Sequence, residues 1–181
     1  MAVQVFPAYR RRAPVRLLRD AAHAALAVGG VAQGAPAKVG VVVADDETVR
    51  ALNARYRGLD ETTDVLSFSW ANPGHWEGKG RNGTPDTPDV FPAPTGARSG
   101  LGEVIASFPQ AERQAREQGH ATRDELALLV VHGVLHLQGH DHEEAGDEAK
   151  MRALESRALA GLGITFTLIG RTLLERSGHG G

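Results

Sequence analysis

Four of the chain's eight histidines fall within the stretch HGVLHLQGHDH, residues 132–142. His132 and His136 are four apart in a segment patterned as a helix, so both imidazoles leave one face about a turn from each other. Gly139 is placed to end that helix and turn the chain back, which lets His142 reach the same point in space. Three neutral imidazoles around one position make a catalytic-type zinc site, its fourth position left to water or substrate. The plainer alternative is three histidines satisfied by ordinary hydrogen bonds. Polar residues repeated inside an apolar helix are expensive without a purpose, which favours the metal. His140 can be a fourth ligand, a proton carrier or an exposed loop residue. Asp141 can orient a ligand imidazole or cap the next helix.

The order H-x-x-x-H-x-x-G-x-x-H is the skeleton of a zinc-protease motif. Such proteases place a glutamate directly after the first histidine, where it takes the proton from water. Here that position is Gly133. A glycine costs a helix about 1 kcal/mol relative to alanine, so close packing or close approach is the expected reason for it. Met151 is the one downstream candidate for a Met-turn, and it lies in a helical pattern. Peptide hydrolysis is therefore disfavoured. A substrate with a better leaving group, or with its own nucleophile, suits the site.

The elements that must position these residues follow from periodicity. VQVF (3–6) reads as a short strand, and Pro14 opens a helix to Val28, with Leu17, Leu18, Ala21 and Ala25 on one face before Gly29-Gly30. KVGVVVA (38–44) is a buried strand, and Asp45 caps a helix carrying Val49, Leu52 and Tyr56. DVLSFSW (64–70) alternates as a strand. Eleven of residues 71–100 are Gly or Pro, which predicts a long loop without periodicity. EVIAS (103–107) is a strand, followed by a polar helix over 109–118. Thr122 and Glu125 form a capping box for a helix that is apolar nearly all round, hence central. A last helix over 143–160 turns Met151, Leu154 and Ala158 inward.

Composition narrows the class. The 181 residues are 41% hydrophobic and 23% charged, as in a globular protein. The absence of cysteine excludes disulfides and thiolate metal sites and fits a reducing cytoplasm. No segment reads as membrane-spanning, and no signal-peptide core is evident. A net charge of −2 excludes the whole molecule as an electrostatic nucleic-acid binder. Arg10, Arg11, Arg12, Arg16 and Arg19 nevertheless crowd a short stretch, as a surface for phosphates or a solvated face beside a helix start.

Three stretches together resemble one family. HGVLHLQGHDH is similar to the YbeY signature H-G-x-L-H-L-x-G-Y-D-H, LNARYRGLDETTDVLSF (52–68) to L-N-x-x-Y-R-x-x-D-x-P-T-D-V-L-S-F, and LGEVIAS (101–107) to L-G-D-I-x-I-S. With MRALE (151–155) and the closing LG at 162–163, the resemblance covers about 38–163. It departs where His140 replaces tyrosine, Glu103 an aspartate, and Glu61 and Ser69 prolines. The resemblance implies an α/β fold of α+β type, a small mixed four-stranded sheet with about five helices and the metal in a cleft. Length makes the chain most simply one domain over 1–181. The 71–100 loop is longer than the resemblance leads one to expect, and 164–181, which match nothing specific, read as an extra C-terminal element. The resemblance maps one Zn2+ ion onto His132, His136 and His142 and a functional arginine onto Arg57.

The implied activity is zinc-dependent, single-strand-specific endoribonuclease cleavage in ribosomal RNA processing, at the 16S rRNA 3′ end. The implied partners are ribosomal RNA and the small ribosomal subunit, and the implied location is the cytoplasm. Arg57 can grip a phosphate bidentately and offset charge in phosphoryl transfer. The metal can polarise a phosphoryl oxygen or activate a water, or the RNA 2′-hydroxyl can attack. Phe68, Trp70 or Trp76 can stack on bases, although Phe68 fits the core better. Alternatives are a zinc peptidase or amidase, a non-catalytic ribosome-associated zinc protein, and the same histidines holding nickel or another metal.

Overall fold

The computed structural model describes residues 1–30, 38–69, 100–140 and 145–165. The chain forms β1 (Ala2–Val5), a 3-10 turn (Pro7–Tyr9), α1 (Val15–Val28), β2 (Val39–Ala44), α2 (Asp46–Arg57), β3 (Val65–Ser69), β4 (Gly102–Ser107), α3 (Phe108–Gln118), α4 (Thr122–Leu137) and α5 (Ala145–Ala160). The four strands make one mixed sheet in the order β1-β2-β4-β3. β1, β2 and β4 run parallel, and β3 is antiparallel to β4. This is the expected α+β fold. The loop predicted over 71–100 and the element predicted over 164–181 fall outside the described residues, except at Gly100, Ile164 and Thr165.

Strand alternation decides what each face covers. Val39, Val41 and Val43 of β2, Val104 and Ala106 of β4 and Val65 of β3 pack with α1, α3, α4 and α5 in the main core. Val42, Ala44, Leu66, Phe68 and Ile105 face the other way, against Val49 and Leu52 of α2. Phe68 belongs to this smaller core, edge-on to Tyr56 with ring centroids 5.3 Å apart.

α4 is the central helix. Twelve of its sixteen residues are buried, so it must be apolar on nearly every side. It lies tight against the sheet at Gly133. A Cβ there would lie 2.6 Å from Val104 Cγ1 and 2.8 Å from Ser67 Oγ. Ser67 Oγ also donates to the Gly133 carbonyl at 3.1 Å, so the polar residue on this inward strand position is satisfied by the helix backbone. The glycine's helix cost is the condition for seating α4 directly on β3 and β4.

One helix start differs from expectation. α4 has Ala121 as its N-cap with no side-chain cap, so the Thr122–Glu125 capping box does not form. Glu125 is fully buried and pairs instead with His120, Oε2 to Nε2 2.5 Å. His120 precedes the N-cap and Glu125 lies one turn in, so this polar pair spans the positions of a hydrophobic staple. Asp45 caps α2 as expected, accepting from the Thr48 backbone N–H at 2.8 Å.

Glu103 lies across Gly40 of the neighbouring strand, and burial pushes its carboxyl above the ordinary carboxylate range. Its folded-state pKa is raised, so the stability present below the unfolded value is lost as pH rises through the folded value. Glu103→Gln keeps the shape without the charge. Thermal melts are expected to show it stabilised at neutral pH and matched to wild type below about pH 4.

Candidate functional site

The end of α4 is built to hold its histidines in place. Gly139 takes a left-handed conformation, φ 85°. The N–H of His140 bonds to the Leu135 carbonyl at 3.1 Å and that of Gly139 to the His136 carbonyl at 2.9 Å. These two bonds form a Schellman motif, which satisfies the last carbonyls and reverses the chain. The turn predicted at Gly139 is present. His142, the residue it was expected to deliver, lies outside the described residues, as does Asp141.

His132 and His136 come together as the four-residue spacing requires. Their Nε2 atoms face each other at 2.9 Å, the rings nearly perpendicular at 72°. His132 is almost completely buried, and its other nitrogen, Nδ1, lies 2.7 Å from Glu155 Oε1. A carboxylate there assigns the ring proton to Nδ1 and leaves the Nε2 lone pair pointing at His136. Two imidazole nitrogens bound tetrahedrally at about 2.0–2.1 Å from one zinc would be about 3.3 Å apart. The pair reaches that with an opening of a few tenths of an ångström. The donor set thus fits a metal ion, although no group of three metal-binding side chains occurs among the described residues.

Glu155 was missed as a site residue. Its signal was in the sequence: α5 buries Met151, Ala158 and Leu159, and Glu155 falls on the same helical face. A carboxylate on an apolar face needs a partner. Which partner it has is a fact of tertiary packing between α4 and α5.

His140 turns away from the pair. Its Nε2 donates to the Gly29 carbonyl at 2.9 Å, tying the end of α4 to the end of α1. Gln138 reinforces that tie by donating to the Ala25 carbonyl at 3.1 Å.

Arg57 is the last residue of α2, followed by Gly58 in a left-handed cap, φ 74°. Its neighbour Tyr56 packs on Phe68 near the end of β3, which pairs with the start of β4. Leu137, at the end of α4, lies against Gly102 at that same start of β4. Arg57 and the histidine pair therefore sit at one end of the sheet, approached from its two faces.

The segment that leads from α2 into β3 is stiffened from within. Asn53, buried, donates to the Glu61 carbonyl at 2.9 Å. Arg50 grips Asp60 with two bonds of 2.8 and 2.9 Å. Asp64 is fully buried and accepts from the Val65 N–H and from Gln114 Nε2, both at 2.8 Å. Much of the 52–68 motif is thus a brace that fixes the run from α2 into β3.

A mixed sheet under a helix that carries two facing imidazoles, one oriented by a buried carboxylate, offers two of the nitrogen donors that a metal ion takes. Comparison with known proteins makes the assignment narrower. The family model Endoribonuclease YbeY matches residues 10–163. Curated relatives of the same name include one from Roseiflexus sp., 39% identical over 164 residues, 90% of this chain and 92% of the relative. Another, from Dehalococcoides mccartyi, is 46% identical over 122 residues, 67% of this chain and 72% of the relative. The chain belongs to the YbeY family. A solution structure of a Thermotoga maritima protein shares the fold, with a TM-score of 0.52 at 20% identity over 90% of this chain and 92% of that one.

Proposed function

We propose that this protein is a metal-dependent endoribonuclease that cleaves single-stranded RNA during ribosomal RNA processing. Its substrate in this reading is 16S rRNA near the 3′ end, met with the small ribosomal subunit in the cytoplasm. The observation that carries the chemistry is the His132–His136 pair, Nε2 to Nε2 2.9 Å, with Glu155 on the far nitrogen of His132. Membership of a family named for endoribonuclease activity supplies the substrate class. Among the described residues no helix is long and apolar enough to cross a membrane.

In this reading His132, His136 and His142 hold one zinc ion. All-imidazole donors suit zinc, and three protein ligands leave a position for substrate. Bound there, the ion supplies a Lewis acid for a phosphoryl oxygen. Glu155 holds the His132 ring in one tautomer and one orientation. Gly133 supplies no carboxylate at the position where a zinc protease has its base, so proton removal falls to another group or to the RNA itself. Arg57 grips the scissile phosphate with its planar fork and offsets charge that develops on it.

The test is cleavage of a labelled single-stranded RNA by purified protein beside Arg57→Ala. The variant is expected to lose about 10²–10³-fold in kcat with zinc content unchanged, the effect of removing one preorganised charge-stabilising donor. An unchanged rate would remove Arg57 from the mechanism. Product ends decide the nucleophile: cyclic 2′,3′-phosphates mean attack by the 2′-hydroxyl, and 3′- or 5′-monophosphates without a cyclic stage mean water.

Glu155 gives an independent check. Glu155→Gln is expected to weaken zinc binding by about 10–100-fold in a chelator competition, because an orienting partner has lost its charge. Affinity equal to wild type would mean that the buried pair serves packing alone.

A further inference from the structure

The chemistry proposed for the histidine pair and Arg57 makes no use of the arginine turn. Residues 1–19 hold five arginines and no aspartate or glutamate, +5, while the remaining fifteen basic and 22 acidic residues make the rest of the chain −7. All five arginines are exposed. Arg12 is held in place, paired with Glu112 of α3 and stacked over the Phe108 ring at 4.7 Å. Tyr9 stacks on the same region, its ring 4.7 Å from that of Phe108. The turn is therefore a fixed platform. Arg10, Arg11, Arg16 and Arg19 direct their charges to solvent, with no side-chain hydrogen bond or ion pair among the described residues.

Helical spacing arranges the next charges. α1 buries Leu18, Ala21, Ala22 and Ala25. Arg16, Arg19 and His23 lie on the opposite side, at i, i+3 and i+7, and form one outward stripe. Asp20 is the acidic residue on that side. α1 runs parallel to α4: Pro14 and Leu17 at its start line a groove with His120 and Arg123, and its last carbonyls bond Gln138 and His140. The arginine turn thus lies at one end of α1 and the histidine-bearing end of α4 at the other. Fourteen residues of helix separate them, about 21 Å.

We propose that the arginine turn and the outward stripe of α1 form a second RNA-binding surface, whose turn holds the backbone of a single strand about 20 Å from the histidine-bearing end of α4. It rests on the ribonuclease reading and adds where the strand lies. Unpaired guanidinium groups on a fixed platform bind phosphates without reading sequence, and the energy comes from released counterions. A net negative protein gains from segregating charge in this way: the acidic remainder repels the strand from other faces. A strand spanning the gap needs about six stacked nucleotides at 3.4 Å each. Substrates much shorter than that reach the histidines without touching the arginines.

The experiment compares full-length, metal-loaded wild type with the triple variant Arg10→Gln/Arg11→Gln/Arg16→Gln, Arg12 being left to hold the platform. Binding of a fluorescent 2′-O-methyl 20-nucleotide strand is titrated against salt, and cleavage kinetics are run on 20- and 3-nucleotide RNAs. Each lost phosphate contact lowers the slope of log affinity against log salt by about 0.7, so the variant should be shallower by about 2. The KM for the 20-nucleotide RNA should rise at least tenfold at unchanged kcat, and cleavage of the 3-nucleotide RNA should stay within twofold. Equal slopes and equal KM values overturn the surface while the nuclease reading stands. Salt-dependent binding lost in the variant, with no cleavage by wild type, supports the surface and overturns the nuclease reading.

Discussion

Replacing His136 with alanine is expected to abolish RNA cleavage and leave the fold intact. The side chain is only half-buried, and it meets His132 through Nε2 at 2.9 Å. Truncation removes one of two facing donors without opening the main core. The loss of metal affinity should exceed the roughly 10–100-fold that removal of an orienting partner causes, because a ligand itself is gone. His132→Ala is the less informative choice. It would also strip Glu155 of its partner, and an unsatisfied buried carboxylate costs about 1–3 kcal/mol or more, so lost activity could follow from lost stability. Circular dichroism and bound-metal analysis on His136→Ala separate the two causes. A folded variant with full metal content and wild-type cleavage would exclude His136 as a ligand.

The second large effect concerns the residue that sets this motif apart from a protease. Gly133→Glu restores the letters of a zinc-protease site and is expected to unfold the protein. Even a Cβ at 133 would lie 2.6 Å from Val104 and 2.8 Å from Ser67, both on strands that the helix rests upon. Overpacking of that kind costs about 1–3 kcal/mol. A glutamate adds a buried carboxylate without a partner, several kcal/mol more, against a total stability of about 5–15 kcal/mol. Gly133→Ala isolates the steric part. It regains about 1 kcal/mol of helix propensity, and the remaining clash lowers the melting temperature by about 2–4 °C for each kcal/mol. Thermal melts of both variants check this. A Gly133→Glu protein that melts with wild type would show that α4 does not need the glycine to sit on the sheet.

That steric fact also explains what kind of site this is. A metalloprotease can place its base on the helix because the residue after the first histidine faces the substrate. Here the residue after His132 faces Val104 and Ser67. The same spacing of histidines is rotated against a sheet, and the protease's proton acceptor has nowhere to stand.

The parts legible in the sequence are those set by local chemistry. The Asp45 cap, the Gly139 reversal and the all-round burial of α4 each follow from a few neighbouring residues, and each is present. The proximity of His132 and His136 follows from helical geometry alone. What was not legible depends on contacts distant in sequence. The insertion of β4 between β2 and β3 is a choice of strand partners that period-two alternation does not encode. The pairing of His132 with Glu155 joins residues 23 apart through the packing of α5 on α4. Thr122 precedes Glu125 at the spacing of a capping box, which is why the sequence points to one. The pair with His120 wins because Glu125 points into the core, where its carboxylate needs a nearby donor. Arg57 shows the limit most plainly. At the end of α2 it looks like any surface arginine, and only the fold carries it to the end of the sheet that holds the histidines.

The most direct test is metal-dependent cleavage by the wild-type protein. Chelator-stripped protein is titrated with zinc against a 5′-labelled single-stranded rRNA fragment, and cleavage is followed beside bound metal. Internal cleavage that rises with zinc and saturates at about one ion per chain is the predicted result. Intact RNA at full zinc occupancy would contradict it.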